Sequence, residues 1–299
     1  MNQILVSPPS PPPAPIECQQ QQIQRQQRQQ HAHIHIAGFY NIEGFWNGQL
    51  EEQLIKIRNK EQQRRMKSNA TTTTTTTNNT TTISMVPQFD STEKWDGGID
   101  TIIPFLDFII MNHVEATNII NCAIERRKRC TRHHSTIGEK KDCSTSDHDK
   151  KKNHNDDADD NDNSTHQYWA AHFKAISSTT TYIITLGKDG AIAIRDGRII
   201  ATRCTVKIDN PIDPTGAGDS FAAGFLHGIW TWRREQQRDG GGGGGEIEET
   251  KVDTNSATLF WPDDAIEYGL RWGCAVGTAS VMIRGASEPA KMADIESHM

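Results

Sequence analysis

Ile208-Asp209-Asn210-Pro211-Ile212-Asp213-Pro214-Thr215-Gly216-Ala217-Gly218-Asp219-Ser220-Phe221 sets an acid in the first turn of an expected helix, directly behind three small residues. Gly216, Ala217 and Gly218 carry almost no side chain, so their backbone N–H groups can face an anion closely. The helix that follows, expected from Ser220 to about Trp232, brings the positive end of its dipole to the same point. Asp219 is then within reach of both the bound anion and whatever attacks it. That combination suits phosphoryl transfer, where positioning and charge neutralisation do most of the catalysis. Alone, the segment also reads as a tight glycine turn entering a helix, with Asp219 as an early-turn acid favoured by the dipole. No Gly-Lys-Ser/Thr follows, so it is not a Walker A loop.

The chain around this string has 299 residues, of which 34% are hydrophobic. That is low for an enzyme of this length, and low-complexity stretches account for the deficit. They are the Pro- and Gln-rich residues 1–30, the Thr/Asn tract within 68–82, a charged stretch at 126–166, and a glycine-rich loop at 234–256. Such compositions cannot bury enough apolar surface to order themselves. The charged stretch opens with Arg126-Arg127-Lys128-Arg129 and closes with Asp156-Asp157-Ala158-Asp159-Asp160, as a solvated insertion does. Residues 291–299 read as a C-terminal tail. A net charge of −6 and the lack of a basic stripe argue against nucleic-acid binding. Six cysteines without a Cys-x-x-Cys pair fit free thiols in a reducing compartment. No leader-like start and no apolar run of spanning length is present, so a cytoplasmic protein without a membrane segment is expected.

Between the low-complexity stretches, strands and helices alternate. His33-Ile34-His35-Ile36-Ala37 reads as a strand ending at Gly38, and Ile83–Val86 as another before Pro87. Leu50, Leu54 and Ile57 have helical spacing in 49–66. Leu106-Asp107-Phe108-Ile109-Ile110-Met111 is the near-continuous apolar run of a parallel strand buried on both faces. A helix follows Asn112, another covers Tyr168–Ile176, and Tyr182–Leu186 is a strand. Two more strands flank Arg195-Asp196-Gly197-Arg198, and the last long helix is expected over 263–283. The alternation predicts a doubly wound, mainly parallel α/β sheet with helices on both faces. Ligands in such sheets sit at the carboxyl ends of the strands, where each candidate motif falls.

Three further groups carry chemistry. Asn112 and Glu115 share one face of a first helical turn, either as a capping box or as polar groups above the sheet's carboxyl edge. Thr185, Gly187 and Gly190 lie in a glycine-bearing connection that also reads as a hairpin-type turn needing positive φ. Cys274 and Gly277 belong to a stripe of small residues that permits close helix packing.

Asp213-Pro214-Thr215-Gly216-Ala217-Gly218-Asp219-Ser220-Phe221 resembles the second signature of the ribokinase-like (PfkB-type) carbohydrate kinases. The resemblance implies Asp219 as the catalytic base and the amides of Gly216, Ala217 and Gly218 as the anion hole. Asn112-His113-Val114-Glu115 is similar to that family's Asn-x-x-Glu motif, which places Glu115 on a magnesium ion through water, with Asn112 in support. Thr185, Gly187 and Gly190 match its Thr-x-Gly-x-x-Gly segment at the nucleotide, and Cys274 and Gly277 its adenine-side helix. Asp213, Thr215 and Gly285 match loops that hold a monovalent cation, potassium, in many members; Asp213 also reads as a plain turn acid. The resemblance covers about 31–290. It implies ATP and Mg2+ as cofactors and ATP-dependent phosphorylation of a sugar hydroxyl, with a nucleoside kinase or an inactive nucleotide-binding protein as alternatives. Nothing before His31 corresponds to the family's Gly-Gly-x-x-x-Asn region, its first strands or its β-lid. The expected domain is therefore a partial one with an exposed sheet edge. A homodimer is the assembly that relatives often form, through that lid.

Overall fold

A computed structural model describes residues 32–46, 48–69, 81–135, 161–239, 261–285 and 288–299. Its centre is a six-stranded sheet in which neighbours in space are neighbours in sequence. β1 (His33–Ala37), β2 (Thr82–Val86), β3 (Phe108–Asn112) and β4 (Thr181–Thr185) pair in parallel. β5 (Ala191–Arg195) and β6 (Arg198–Arg203) extend the sheet by antiparallel pairing. The residues of β5 and nearly all of β2, β3 and β4 are buried, which explains why these segments read as apolar runs.

The strand period of two divides the apolar side chains between two layers of helices. Met85, Ile109, Met111, Tyr182, Ile184, Ile192 and Ile194 face one layer. It holds Leu54 of α1 (Gln49–Asn69), Ile102 of the short α2 (Ile99–Ile102), Ile119 of α3 (His113–Ser135) and Phe173 of α4 (Asn161–Ile176). Phe108, Ile110, Ile183, Ala191 and Ala193 face the opposite way. There they meet Phe221 and Phe225 of α5 (Ala217–Asp239), and Ile266 and Leu270 of α6 (Asp263–Ser280). The first four strands never reverse order, so their crossovers keep to one face. The second layer arrives only after the sheet is complete. Among the described residues no helix is long and apolar enough to cross a membrane.

Several bounds differ from the sequence expectation. α5 starts at Ala217 rather than Ser220 and runs to Asp239, into the stretch read as the glycine-rich loop. α3 continues to Ser135 and α4 begins at Asn161, so both ends of the charged 126–166 stretch are helical. Residues 136–160, the Pro/Gln tract 1–30, 70–80 and 240–256 lie outside the described residues. The tail at 291–299 contains α7 (Met292–Ser297), whose Ile295 packs with Ala275 and Ala279. Its single apolar anchor explains why periodicity gave no helix there.

A buried ionic knot fastens α1 to the sheet. Arg58 bonds Glu61 at 3.1 Å and Asp107 at 2.8 Å, with all three residues nearly inaccessible. The remaining guanidinium donors go to the carbonyls of Thr81 and Phe105, and Asp107 also accepts from the Ile83 N–H at 2.7 Å. Every charge in the knot therefore has a partner, as burial demands.

Candidate active site

Asp213 organises the turn that precedes α5. Its Oδ1 accepts from the Thr215 N–H at 2.9 Å, and its Oδ2 from the Gly285 N–H at 3.0 Å. The bonds from Thr215, then that from Gly285, hold the Asp213 carboxyl below the usual range. The two loops expected to share a cation are thus tied together by one carboxylate. Gly216 has φ 78°, the left-handed conformation that lets the chain turn into the helix. The Ala217 N–H is used within the turn, donating to the Pro214 carbonyl at 3.2 Å. The N–H groups of Gly216, Gly218 and Asp219 carry no hydrogen bond among the described residues. They are the open donors of a helix N-terminus. Asp219 is exposed in the first turn, and space is open around Gly218.

Asn112 and Glu115 form a reciprocal cap at the junction of β3 and α3. The Asn112 N–H donates to Glu115 Oε2 at 3.0 Å, and the Glu115 N–H to Asn112 Oδ1 at 2.9 Å. The capping reading is therefore correct as geometry, and it also aims the carboxyl. Burial raises the Glu115 pKa, the Asn112 N–H opposes that rise, and the negative charge of Asp219 adds to it. The two acids thus share one electrostatic environment although they come from opposite helix layers. Two carboxylates that feel each other's charge favour a nearby cation. Among the described residues no group of three or more His, Cys, Asp or Glu side chains could hold a metal ion. One or two carboxylates suffice for magnesium, which keeps several waters.

Thr185 ends β4 opposite Asn112, and its hydroxyl reaches the Met111 carbonyl at 3.5 Å. The connection to β5 closes with the Leu186 N–H on the Gly190 carbonyl at 2.8 Å. Both glycines have positive φ, 63° at Gly187 and 101° at Gly190. Their surroundings separate them. Gly187 faces open space, whereas a Cβ on Gly190 would lie 1.9 Å from the Arg203 carbonyl oxygen. Strand approach by itself requires a glycine at 190, and Gly187 is free to face a ligand. In α6, a Cβ on Gly277 would lie 3.4 Å from the Ala217 carbonyl, so Gly277 packs beside the signature turn. Cys274 is buried, with its thiol 3.8 Å from the Arg203 carbonyl and burial pushing its pKa up to about 11. It faces β6 as a packing residue.

The structure also shows polar residues that the strand reading passed over. His33 and His35 alternate with Ile34 and Ile36, so they share the sheet face that α5 covers, together with Thr82 and Ser84 of β2. Two histidines at period two on an expected strand were the available signal.

The family model of the pfkB family carbohydrate kinases matches residues 152–249. Among solved structures, the fructokinase from Vibrio cholerae O395, in its fructose-, ADP- and calcium-bound form, is similar with a TM-score of 0.50 at 12% identity. The match covers 90% of this chain and 61% of that one. A double mutant of the same fructokinase, in fructose-, ADP- and potassium-bound form, gives a TM-score of 0.50 at 12% identity over the same shares, 90% and 61%. The ribokinase from Giardia lamblia is similar with a TM-score of 0.45 at 15% identity, over 73% of this chain and 49% of that one. The chain therefore spans 61% of the length of the fructokinase it resembles. No sequence among curated proteins matches it. The fold is the α/β fold of the ribokinase-like kinases, and the resemblance to the pfkB carbohydrate kinases that the Asp213–Phe221 string carries is shown.

Proposed function

We propose that this protein is an ATP-dependent kinase that phosphorylates a sugar hydroxyl, with Asp219 as general base. One observation carries the reading. Asp219 sits among the open N–H groups of α5 while its charge reaches Glu115, the capped acid at the end of β3.

Asp219 accepts the proton of the acceptor hydroxyl as the oxygen forms its bond to phosphorus. The Gly216 and Gly218 N–H groups and the α5 dipole stabilise negative charge on the transferring group. Ala217 contributes the turn itself, since its N–H is already bonded to Pro214. Thr185 and Gly187 would border the nucleotide, Gly277 lies beside the signature turn, and Glu115, oriented by Asn112, would hold a magnesium ion through its waters. ATP with magnesium supplies the phosphoryl group and shields its charge. Asp213, whose carboxylate joins the Thr215 and Gly285 loops, would be the place for a potassium ion.

The test is ADP release from Mg-ATP in the presence of D-fructose, D-ribose or adenosine. A sugar is the expected acceptor, and phosphorylation of adenosine alone assigns a nucleoside kinase instead. Asp219→Asn is expected to lower kcat by about 10²–10⁴-fold. Near-normal turnover by that variant removes Asp219 from the mechanism.

A further inference from the structure

β1 and β2 place a polar chain on the face that α5 covers. The buried Thr82 hydroxyl is 2.7 Å from His33 Nδ1. His33 Nε2 is 3.0 Å from the Ser84 hydroxyl, and that hydroxyl is 2.7 Å from His35 Nδ1. Thr82 and Ser84 are fully buried, so the chain is anchored in the sheet. The two rings stack with centroids 6.4 Å apart, and Trp230 meets His33 edge-on at 6.1 Å. His35 is exposed at the outer end, and its Nε2 has no hydrogen bond among the described residues.

α5 fixes where that end points. Trp230 packs on His33, toward the start of β1. The first turn of α5 lies toward the carboxyl ends of the strands, where Asp219 acts on both His35 and Glu115. Burial lowers the pKa of His35, while the charge of Asp219 pulls it upward. Burial and the neighbouring His35 lower that of His33 to about 4. Both rings are therefore neutral near pH 7.

Proton counting then sets the tautomers. A neutral imidazole has one donor and one acceptor, and each hydroxyl has one proton to give. With Thr82 donating to His33 Nδ1, His33 Nε2–H donates to Ser84, and Ser84 donates to His35 Nδ1. The last proton stands on His35 Nε2, the ring nitrogen that no hydrogen bond among the described residues occupies. The opposite direction leaves a lone pair there, which the negative charge of Asp219 acting on His35 disfavours.

We propose that His35 is an acceptor-binding residue: its Nε2–H, oriented through Ser84 by His33, donates a hydrogen bond to a hydroxyl oxygen of the phosphoryl acceptor beside the one that Asp219 deprotonates. This rests on the kinase reading above, which it deepens by adding a donor opposite the base. A polyhydroxylated acceptor satisfies both groups at once.

The experiment uses the full chain with ¹⁵N-labelled histidine. The His35 Nε2 resonance is followed by NMR while D-fructose, D-ribose or adenosine is added, with phosphoryl transfer assayed in parallel. A shift that saturates with one of the three is expected. His35→Ala is expected to raise the KM of that acceptor about tenfold, the size of one hydrogen bond, and leave the KM of ATP unchanged. His35→Gln, which keeps an N–H near the Nε2 position, restores the acceptor KM to within about threefold. Circular dichroism shows that each variant folds. Asp219→Asn is expected to lower the His35 pKa; an unchanged value overturns the adjacency and the proposal with it. A His35 ring indifferent to all three compounds overturns the proposal, whether or not phosphate is transferred. A responsive ring without phosphoryl transfer upholds His35 as a binding residue and removes the kinase reading instead.

Discussion

Single residues decide which of two sequence readings holds at each motif. Gly190 was a candidate for the nucleotide, yet its φ of 101° and the Arg203 carbonyl 1.9 Å from any added Cβ make it a steric necessity. Gly190→Ala is expected to destabilise the fold by about 3 kcal/mol or more, read by denaturant unfolding. Glu115 is a capping residue whose carboxyl also feels the charge of Asp219, so its two readings are compatible. His33 gives a pH signature. Its pKa is 6.5 for the free side chain and about 4 in the fold, so the unfolded chain binds the proton first. Its contribution to stability is full above about pH 6.5 and declines as the pH falls toward 4. His33→Gln is expected to flatten that part of the stability profile relative to the unaltered protein, measured by chemical unfolding at pH 7 and pH 5.

At the level of elements, the pairing of α5 with α6 holds the signature turn in place. The two helices approach closely because glycines line their contact. A Cβ on Gly228 would lie 2.9 Å from the Gly269 Cα, and one on Gly269 2.8 Å from the Phe225 ring. Gly269→Leu is expected to cost about 1–3 kcal/mol through overpacking, seen as a lower unfolding midpoint. The variant should also lower kcat, since Gly277 of α6 packs against the Ala217 carbonyl in the turn that carries Asp219. Element types were legible wherever apolar spacing was strong, as in Leu106–Met111, because burial on both sheet faces leaves a continuous run. Helix ends were not. α3, α4 and α5 extend into polar stretches whose composition resembles loop, and there the intrahelical hydrogen bonds continue without an apolar stripe.

Across the whole molecule, the sheet brings together groups far apart in sequence. The Arg58–Glu61–Asp107 knot is the clearest case, joining α1 to the start of β3 over 49 residues. Arg58→Ala leaves two buried carboxylates without their cation and is expected to cost about 3–5 kcal/mol, measured as a loss of thermal stability. Nothing in the sequence marked these residues as partners, since a charged helix position ordinarily faces solvent. The site has the same character. Asp219 and Glu115 lie on opposite layers and share one field only because β3 ends and α5 begins at the sheet's carboxyl edge.

By itself, the sequence determined the α/β class, the succession of strands, and the signature string from Asp213 to Asp219 that resembles the pfkB carbohydrate kinases. These are local matters of periodicity, turn chemistry and small residues, and they need no knowledge of distant neighbours. The tertiary structure alone decided that Gly190 serves strand approach, that Cys274 faces β6, and that Ala217 spends its N–H inside the turn. It also decided that His35, two residues along the strand from His33, shares the Ser84 hydroxyl with it on the face that α5 covers. Such outcomes depend on how strands register and which helix covers which face, and a one-dimensional pattern does not encode either before the sheet has formed.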